Sequence, residues 1–383
     1  MALKHWLVAI ASLVPLTASI GGGQAPHSSR LYVAPDGSDA ALGTRAAPFR
    51  SIQRAADAAE PGDTVVVRPG HYRGGARLVS LNRGGRPDAW ITFQSEMSWQ
   101  AVLEGGEGQS LVAWYFGPGV GYIRIQGFAI QDLSEHGFDF YGGGVHDIVI
   151  ADNHVHHIGR TCTDTQNGRT GASLGNGASR VTFDANLWHD IGRLAPGENG
   201  CAPKTASYQN HDHGIYVADA DDITITNNVF YDFRRGWAIH RYFSRGTPSN
   251  GLVIANNTFS GANPYRPGQV ILATPTSGLR IVNNIFAGPL RAALFFENLD
   301  FPNGTVEYNL VDRGRIKVGQ PTGVSWSHNW EGRDPRFVSG LDLRLKAVSP
   351  AIDVGVTLPE VTHDARGRAR PRGAGIDLGA YEY

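Results

Sequence analysis

Lysine is scarce in this 383-residue chain: it occurs only as Lys4, Lys204, Lys317 and Lys346, so nearly all positive charge is arginine, which binds carboxylates through two parallel hydrogen bonds. Net charge is scarce too. A formal value of −1 gives no bulk electrostatic reason to expect nucleic acid or an anionic membrane as partner. Long apolar runs are missing. The run at residues 6–16 is too short to span a bilayer, and no later segment is a better candidate. That run follows Lys4 and His5 and precedes small residues, the layout of a secretory signal over residues 1–25, with cleavage between Ser19 and Ala25. Secreted or periplasmic localisation follows. Cysteine is limited to Cys162 and Cys201, both beyond the signal. An even count in an exported chain points to a disulfide. It would close a 39-residue loop and stabilise by about 3–4 kcal/mol. Helix-forming stretches are few and glycine is abundant at 49 residues, as expected of many short strands and tight turns.

What the chain does have is a recurrent asparagine. It follows a short β-branched strand and precedes an apolar or aromatic residue two positions on: IVIADNHV at Asn153, VTFDANLW at Asn186, ITITNNVF at Asn228, LVIANNTF at Asn257, LRIVNNIF at Asn284 and TVEYNLV at Asn309. The last three intervals are 29, 27 and 25 residues. A strand-bearing repeat of that length predicts a solenoid, whose coils bury against their neighbours and need not split into domains. One domain is expected over residues 26–383. Residues 31–75 form an N-terminal cap, with a short helix begun by Ser51 and stopped at Pro61-Gly62, and residues 334–383 form a closing segment.

The run GTRAAPFRSIQRAADAAEPGDTVVVRPGHY resembles the N-terminal signature of the secreted, pectate lyase-like right-handed parallel β-helix proteins. This superfamily includes pectate, alginate and chondroitin lyases and mannuronan epimerases. DPRFVSGLDLRLKAVSPAIDVG and GIDLGAYEY resemble its closing segment. The resemblance implies an all-β fold with three strands per coil. The asparagines would form a structural ladder between second and third strands, and Phe230, Phe259 and Phe286 would stack inside.

The first strands then read HGFDFY (136–141), GASLG (171–175), HGIYVA (213–218), GWAIHRY (236–242), QVILAT (269–274) and AALFFEN (292–298). Alternation predicts that Phe138, Ala172, Ile215 and Trp237 point inward. Asp139, Ser173, Tyr216 and Ala238 then point outward, as do Tyr141, Gly175, Ala218 and His240. Ser173 and Gly175 would leave a hollow. This outward face carries His136, Asp139, Tyr141, His213, Tyr216, His240 and Tyr242, with Arg235 and Arg241 beside them, and the following coils are apolar.

Such a set suits β-elimination of a uronic-acid polymer. That reaction needs a partner for the C6 carboxylate, a base for the C5 proton and an acid for the departing O4. Arg235, Arg241 or a cation serves the first need, His213 or His240 the second, and Tyr216 acts as acid, base or both in turn. HGFD and HGIY resemble the aromatic–Gly–apolar–Asp–x–His strand of mannuronan epimerases in permuted form. Asp139 matches its aspartate, while Tyr141 stands at the histidine and His136 at the aromatic position. In the next coils, Tyr216 replaces the aspartate, and His240 occupies the histidine position. Lys204, in the long loop that contains Cys201 and precedes HGIYVA, is a further candidate, because some β-helix lyases use a lysine base.

His136, Tyr141, Arg235, Arg241, Tyr242 and Lys204 are thus expected to bind substrate, and His213, Tyr216, His240 and Asp139 to do the chemistry. His156, His157 and His189 fall in third strands and are read as structural. His211, Asp212 and His213 lack a distant ligand set for zinc, and no metal ligands are assigned. No cofactor is required, although Ca²⁺ could sit at Asp219, Asp221 and Asp222. The chain is expected to be a monomer. The rival readings are a uronate C5-epimerase, a glycoside hydrolase using Asp139 with Asp212, and a non-catalytic carbohydrate-binding β-helix.

Overall fold

Runs of β-branched residues too short to pair with themselves must find their hydrogen bonds in the next copy, and a chain of such runs winds into a coil. The computed structural model describes residues 29–106, 111–163, 167–202, 211–233, 236–242, 248–261 and 266–383. The segment expected to be a signal, Lys204 and Arg235 lie outside them.

The strands form three sheets of 11, 9 and 10 strands among the described residues, and in each sheet a strand pairs with one from the preceding and one from the following coil. Pairing between coils is parallel, as in Phe138↔Ala172, Ala172↔Ile215 and Ile215↔Ile239. One coil runs through His213–Val217, Ala220–Thr226 and Val229–Tyr231. The expected right-handed parallel β-helix with three strands per coil is the fold observed.

The ladder sits where the repeat placed it. The Asn228 carboxamide oxygen accepts from the Asn186 N–H at 3.0 Å, and Asn257 accepts from Asn228 at 2.8 Å. Each side-chain amide also donates back across the turn, Asn257 to the Ile225 carbonyl at 2.8 Å. The stack runs from Asn153 through Asn309 and on to Asn329, with the central members fully buried. Buried turn amides that face no sheet partner are satisfied this way. The residue before each ladder asparagine takes positive φ, 56° at Asn227, 53° at Asn256 and 58° at Asn283, where asparagine is tolerated better than most side chains. Phe230, Phe259 and Phe286 stack inside at centroid spacings of 4.9 and 4.8 Å.

The helix Ile52–Ala58 begins at Ser51, whose hydroxyl accepts from the Arg54 N–H at 3.1 Å. It buries Ile52 and Ala55 against the first coil. Gln53 pairs with both backbone groups of Ser80, covering the open edge of the nine-stranded sheet. The C-terminal segment runs back along the ladder side: Asn256 donates to the Asp377 carbonyl, Arg370 to Asn227, and His363 bonds Asp184. The disulfide between Cys162 and Cys201 is formed.

Candidate active site

The nine-stranded sheet carries an open groove of about 840 Å³. Consecutive coils place Asp139, Ser173, Tyr216 and His240 in one register row, so Tyr216 and His240 are direct neighbours. Their rings lie 5.2 Å apart. Asp139 is two strands away, roughly 10 Å on the usual strand spacing. His136, Tyr141, His213 and Tyr242 line the same groove.

Three details depart from the simple alternation. His240 is level with Tyr216, not with Ala218, because the chain enters this strand irregularly and regular pairing starts at Ile239. Trp237 accordingly lies against Ile271, Ala273 and Phe295 on the groove wall, while Ala238 joins the interior. Gly236 makes this entry possible: a Cβ there would fall 1.6 Å from the Asp212 carbonyl oxygen and 2.8 Å from His213 Nδ1. Second, the hollow at Gly175 is occupied. A Cβ at Gly175 would meet the Tyr141 ring at 2.4 Å, and the Tyr141 hydroxyl hydrogen-bonds Ser173. Third, Arg241 does not reach the groove. It pairs with Val217 and Leu272 on the interior side, is 1 % exposed and donates to the Ala218 carbonyl at 2.8 Å. Burial drops its pKa to about 10.

His213 is buried with both ring nitrogens engaged. Its Nδ1 accepts the Trp237 N–H at 3.3 Å, and its Nε2 lies 2.9 Å from His240 Nδ1. A nitrogen that accepts cannot carry the proton, so the hydrogen of His213 is on Nε2 and is donated to His240. His240 then holds its own hydrogen on Nε2. Burial pushes His213 well below the ordinary imidazole value of 6.5, and His240 down to about 3. Both rings are therefore neutral near pH 7. Burial raises the Tyr216 hydroxyl above the ordinary phenol value, so it too keeps its proton.

Two depressed imidazoles bear on stability. The unfolded chain takes up these protons as pH falls through about 6.5 and the folded chain does not, so their contribution is present above that pH and is lost below it. Stability should fall by up to about 3 kcal/mol per pH unit on going from pH 6 toward 4. His154 and His156, also lowered by burial, act in the same direction. His363, raised by its hydrogen bond to Asp184, acts in the opposite one. Urea midpoints at pH 7 and pH 5 measure the effect. The His240→Gln variant should show a shallower slope, and equal midpoints for the parent protein would refute the assignment.

The remaining groove residues include several that alternation did not single out. Arg169 is paired to Glu135 at 3.0 Å, and Arg266, Trp237, Phe295 and Glu297 complete the lining. Arg266 stands before the Val270–Ala273 strand, and its place in a loop gave no periodic signal. Asp212 is withdrawn from chemistry. Its carboxylate is fully buried and receives the Arg193 Nε and Nη2 at 2.9 Å and the backbone N–H of Arg169 at 2.9 Å. Asp139 therefore has no carboxylate partner there. Glu297 is five strands along the stack, roughly 24 Å, and Glu135 is four residues back along the strand, roughly 13 Å. The carboxylates of Asp219, Asp221 and Asp222 do not gather within 4.8 Å of one another. Asp221 instead accepts the Asn250 N–H at 2.8 Å, and Asp222 takes a φ of 54° in the turn.

Comparison with known proteins agrees with this architecture. The family model described as Pel9A-like, right handed beta helix region matches residues 31–252, and a right handed beta helix region model matches residues 204–329. The uncharacterized protein YwoF of Bacillus subtilis is 32% identical over 145 residues, covering 35% of this chain and 30% of that one. The pectate lyase PEL9 of Emericella nidulans is 35% identical over 77 residues, 20% of this chain and 18% of that one. The chain thus spans less than a third of either relative. Among solved structures, pectate lyase Pel9A superposes with a TM-score of 0.54 at 16% identity, over 94% of this chain and 97% of that one. XylC with xylose gives 0.50 at 12% identity, over 79% and 70%. At these identities the structural likeness concerns the fold.

Proposed function

Since the chain belongs to the Pel9A-like right-handed β-helix family, we propose that it is an exported carbohydrate-active enzyme that cleaves a uronic-acid polysaccharide by β-elimination in the groove of the nine-stranded sheet. One observation carries this reading. Tyr216 and His240 meet in one register row, and His213 fixes the tautomer of His240 so that an Nε2–H is presented as donor. Two neutral donors side by side suit an oxygen that gains charge as its bond breaks.

The roles follow from that geometry. Arg266 offers a guanidinium to the C6 carboxylate, with Arg169 beside Glu135 nearby. Asp139, with one carboxylate oxygen held by the Tyr141 N–H at 3.0 Å, is the acceptor for the C5 proton. The C5–H electron pair forms the C4–C5 double bond, the C4–O4 bond breaks, and O4 takes a proton from Tyr216 or His240. His213 acts through His240 and is a positioning residue. Export rests on the apolar segment within residues 1–25 together with the disulfide. No helix of the described residues is long and apolar enough to cross a membrane.

The test is incubation of the protein with polygalacturonate, alginate, glucuronan and chondroitin, with and without Ca²⁺, following ultraviolet absorbance of the unsaturated uronate ends. One of these polymers should yield such ends. Polymer binding without unsaturated product across the panel would refute the lyase reading. Exchange of the C5 hydrogen in D₂O without chain cleavage would transfer the site to an epimerase, which shares the proton abstraction.

A further inference from the structure

The ten-stranded sheet, away from the groove, carries a second constellation. Adjacent strands His154–Ile158 and Leu187–Ile191 pair in register with His156 opposite His189. Val155 and Trp188 turn into the core, so His154, His156 and His189 share the outer face. Two histidines two residues apart on one strand and a third directly across place three imidazoles side by side. Each offers a nitrogen, and the three nitrogens lie within 4.8 Å of one another. We propose that His154, His156 and His189 form a three-histidine site for a divalent transition ion of the zinc and copper class.

The surrounding contacts prepare these rings for coordination. His189 Nδ1 lies 2.6 Å from the Asp190 carboxylate and donates its hydrogen there, which leaves the Nε2 lone pair facing outward. A carboxylate behind a histidine is the usual arrangement for a metal ligand, since it fixes the tautomer and the ring direction. Nε2 of His154 sits 2.7 Å from that lone pair. Tyr231 stacks on His189 at 4.4 Å and Trp99 covers His154 at 5.0 Å, so both rings are held from behind. His156 is half-buried, His157 is exposed, and the two contact each other through Nδ1 atoms 2.7 Å apart, which leaves His156 Nε2 as the nitrogen for an ion.

Three neutral nitrogens select against hard cations. Ca²⁺ and Mg²⁺ require oxygen ligands, whereas imidazole suits Zn²⁺ and Cu²⁺. Metal–nitrogen bonds of about 2.0–2.1 Å place tetrahedral ligand nitrogens about 3.3 Å apart, so His154 and His189 need to separate by roughly 0.6 Å, and the His156 ring, which lies parallel to His189 at 5.0 Å, needs to turn to aim its lone pair at the same ion. A fourth position stays open to water. The bound ion ties one coil to the next on a face with no part in the proposed elimination.

The site is tested on the full chain, prepared without an affinity tag and freed of metal by chelation. Titration calorimetry with ZnCl₂, and separately with CuCl₂, should show one equivalent bound at micromolar or lower concentration, with a rise in melting temperature. CaCl₂ and MgCl₂ should give neither. His189→Gln and His156→Gln should each weaken binding by at least about tenfold, and Asp190→Asn by about 10- to 100-fold. His328→Gln, which is remote from the cluster, should bind as the parent does. His156→Gln keeps the test decisive if His189→Gln fails to fold. Absence of Zn²⁺ and Cu²⁺ binding at about a hundred micromolar, or binding unchanged in His156→Gln and His189→Gln, would overturn the proposal.

Discussion

Changing Tyr216 to Phe or His240 to Gln should lower turnover on the uronate polymer by about 10²- to 10⁴-fold, the range that a positioned proton donor or acceptor contributes. Tyr216→Phe removes one hydroxyl from a ring that stays packed on His213 at 5.5 Å and His240 at 5.2 Å, so folding should be little affected. His240→Gln keeps an amide that can accept the His213 Nε2–H and donate to the groove, but it cannot deliver a proton to O4. Both variants should therefore lose kcat far more than they raise KM. His213→Gln should show a smaller loss, together with a changed pH profile, because its effect passes through the tautomer of His240. Full activity in both Tyr216→Phe and His240→Gln would remove these residues from the site. A loss confined to KM would make them binding groups only.

Substituting one partner of the Arg193–Asp212 pair should cost about 3–5 kcal/mol of stability, since the surviving charge stays in a place that water does not reach. Both side chains are 0% exposed, and Asp212 additionally holds the backbone N–H groups of Arg193 and Arg169 at 2.9 Å. Asp212→Asn keeps the shape and removes the charge. Arg193→Met keeps most of the volume and removes the guanidinium. The double variant should be less destabilised than the sum of the two, because neither charge is left alone. Asp212 also precedes His213 and anchors the start of the Arg169 strand, so Asp212→Asn should lose groove activity beyond its loss of folded protein. Urea unfolding with unchanged slope and lowered midpoint is the measurement. Single substitutions costing no more than a typical surface change would show that the pair is not the anchor of this wall.

The fold was legible because its determinants are local and repeated. Each ladder asparagine follows a strand at a near-constant interval, and one such residue satisfies the same turn groups in every coil. Asn228, Asn257 and Asn284 were therefore enough to place Phe230, Phe259 and Phe286 in one interior stack. Cys162 and Cys201 were equally legible, being the two thiols of a chain whose first residues read as an export signal.

The groove was legible only in part. Strand alternation separated Asp139 and Tyr216 from Phe138 and Ile215, since period 2 is a property of the backbone. It failed at Trp237, where Gly236 lets the chain pass tightly over Asp212 and shifts which residue first pairs. It also failed at Arg241, a charged residue at an interior position; a guanidinium on a first strand reads as a ligand until burial places it inside. Arg266 and Arg169 lie in or after loops, where no periodicity indicates direction. The histidine cluster had a signal that strand assignment alone did not use: His156 and His189 each stand three residues after a ladder asparagine, at Asn153 and Asn186, and Tyr231 stands three after Asn228.

By itself the sequence determined the coil, the ladder and the sheet that bears the groove, because hydrogen-bonding need and side-chain period repeat along the chain. The tertiary structure alone decided which imidazoles touch, which carboxylate is locked in an ion pair and which arginine faces the groove. Those outcomes depend on register between strands more than twenty residues apart and on one irregular entry at Gly236, and no local pattern carries either.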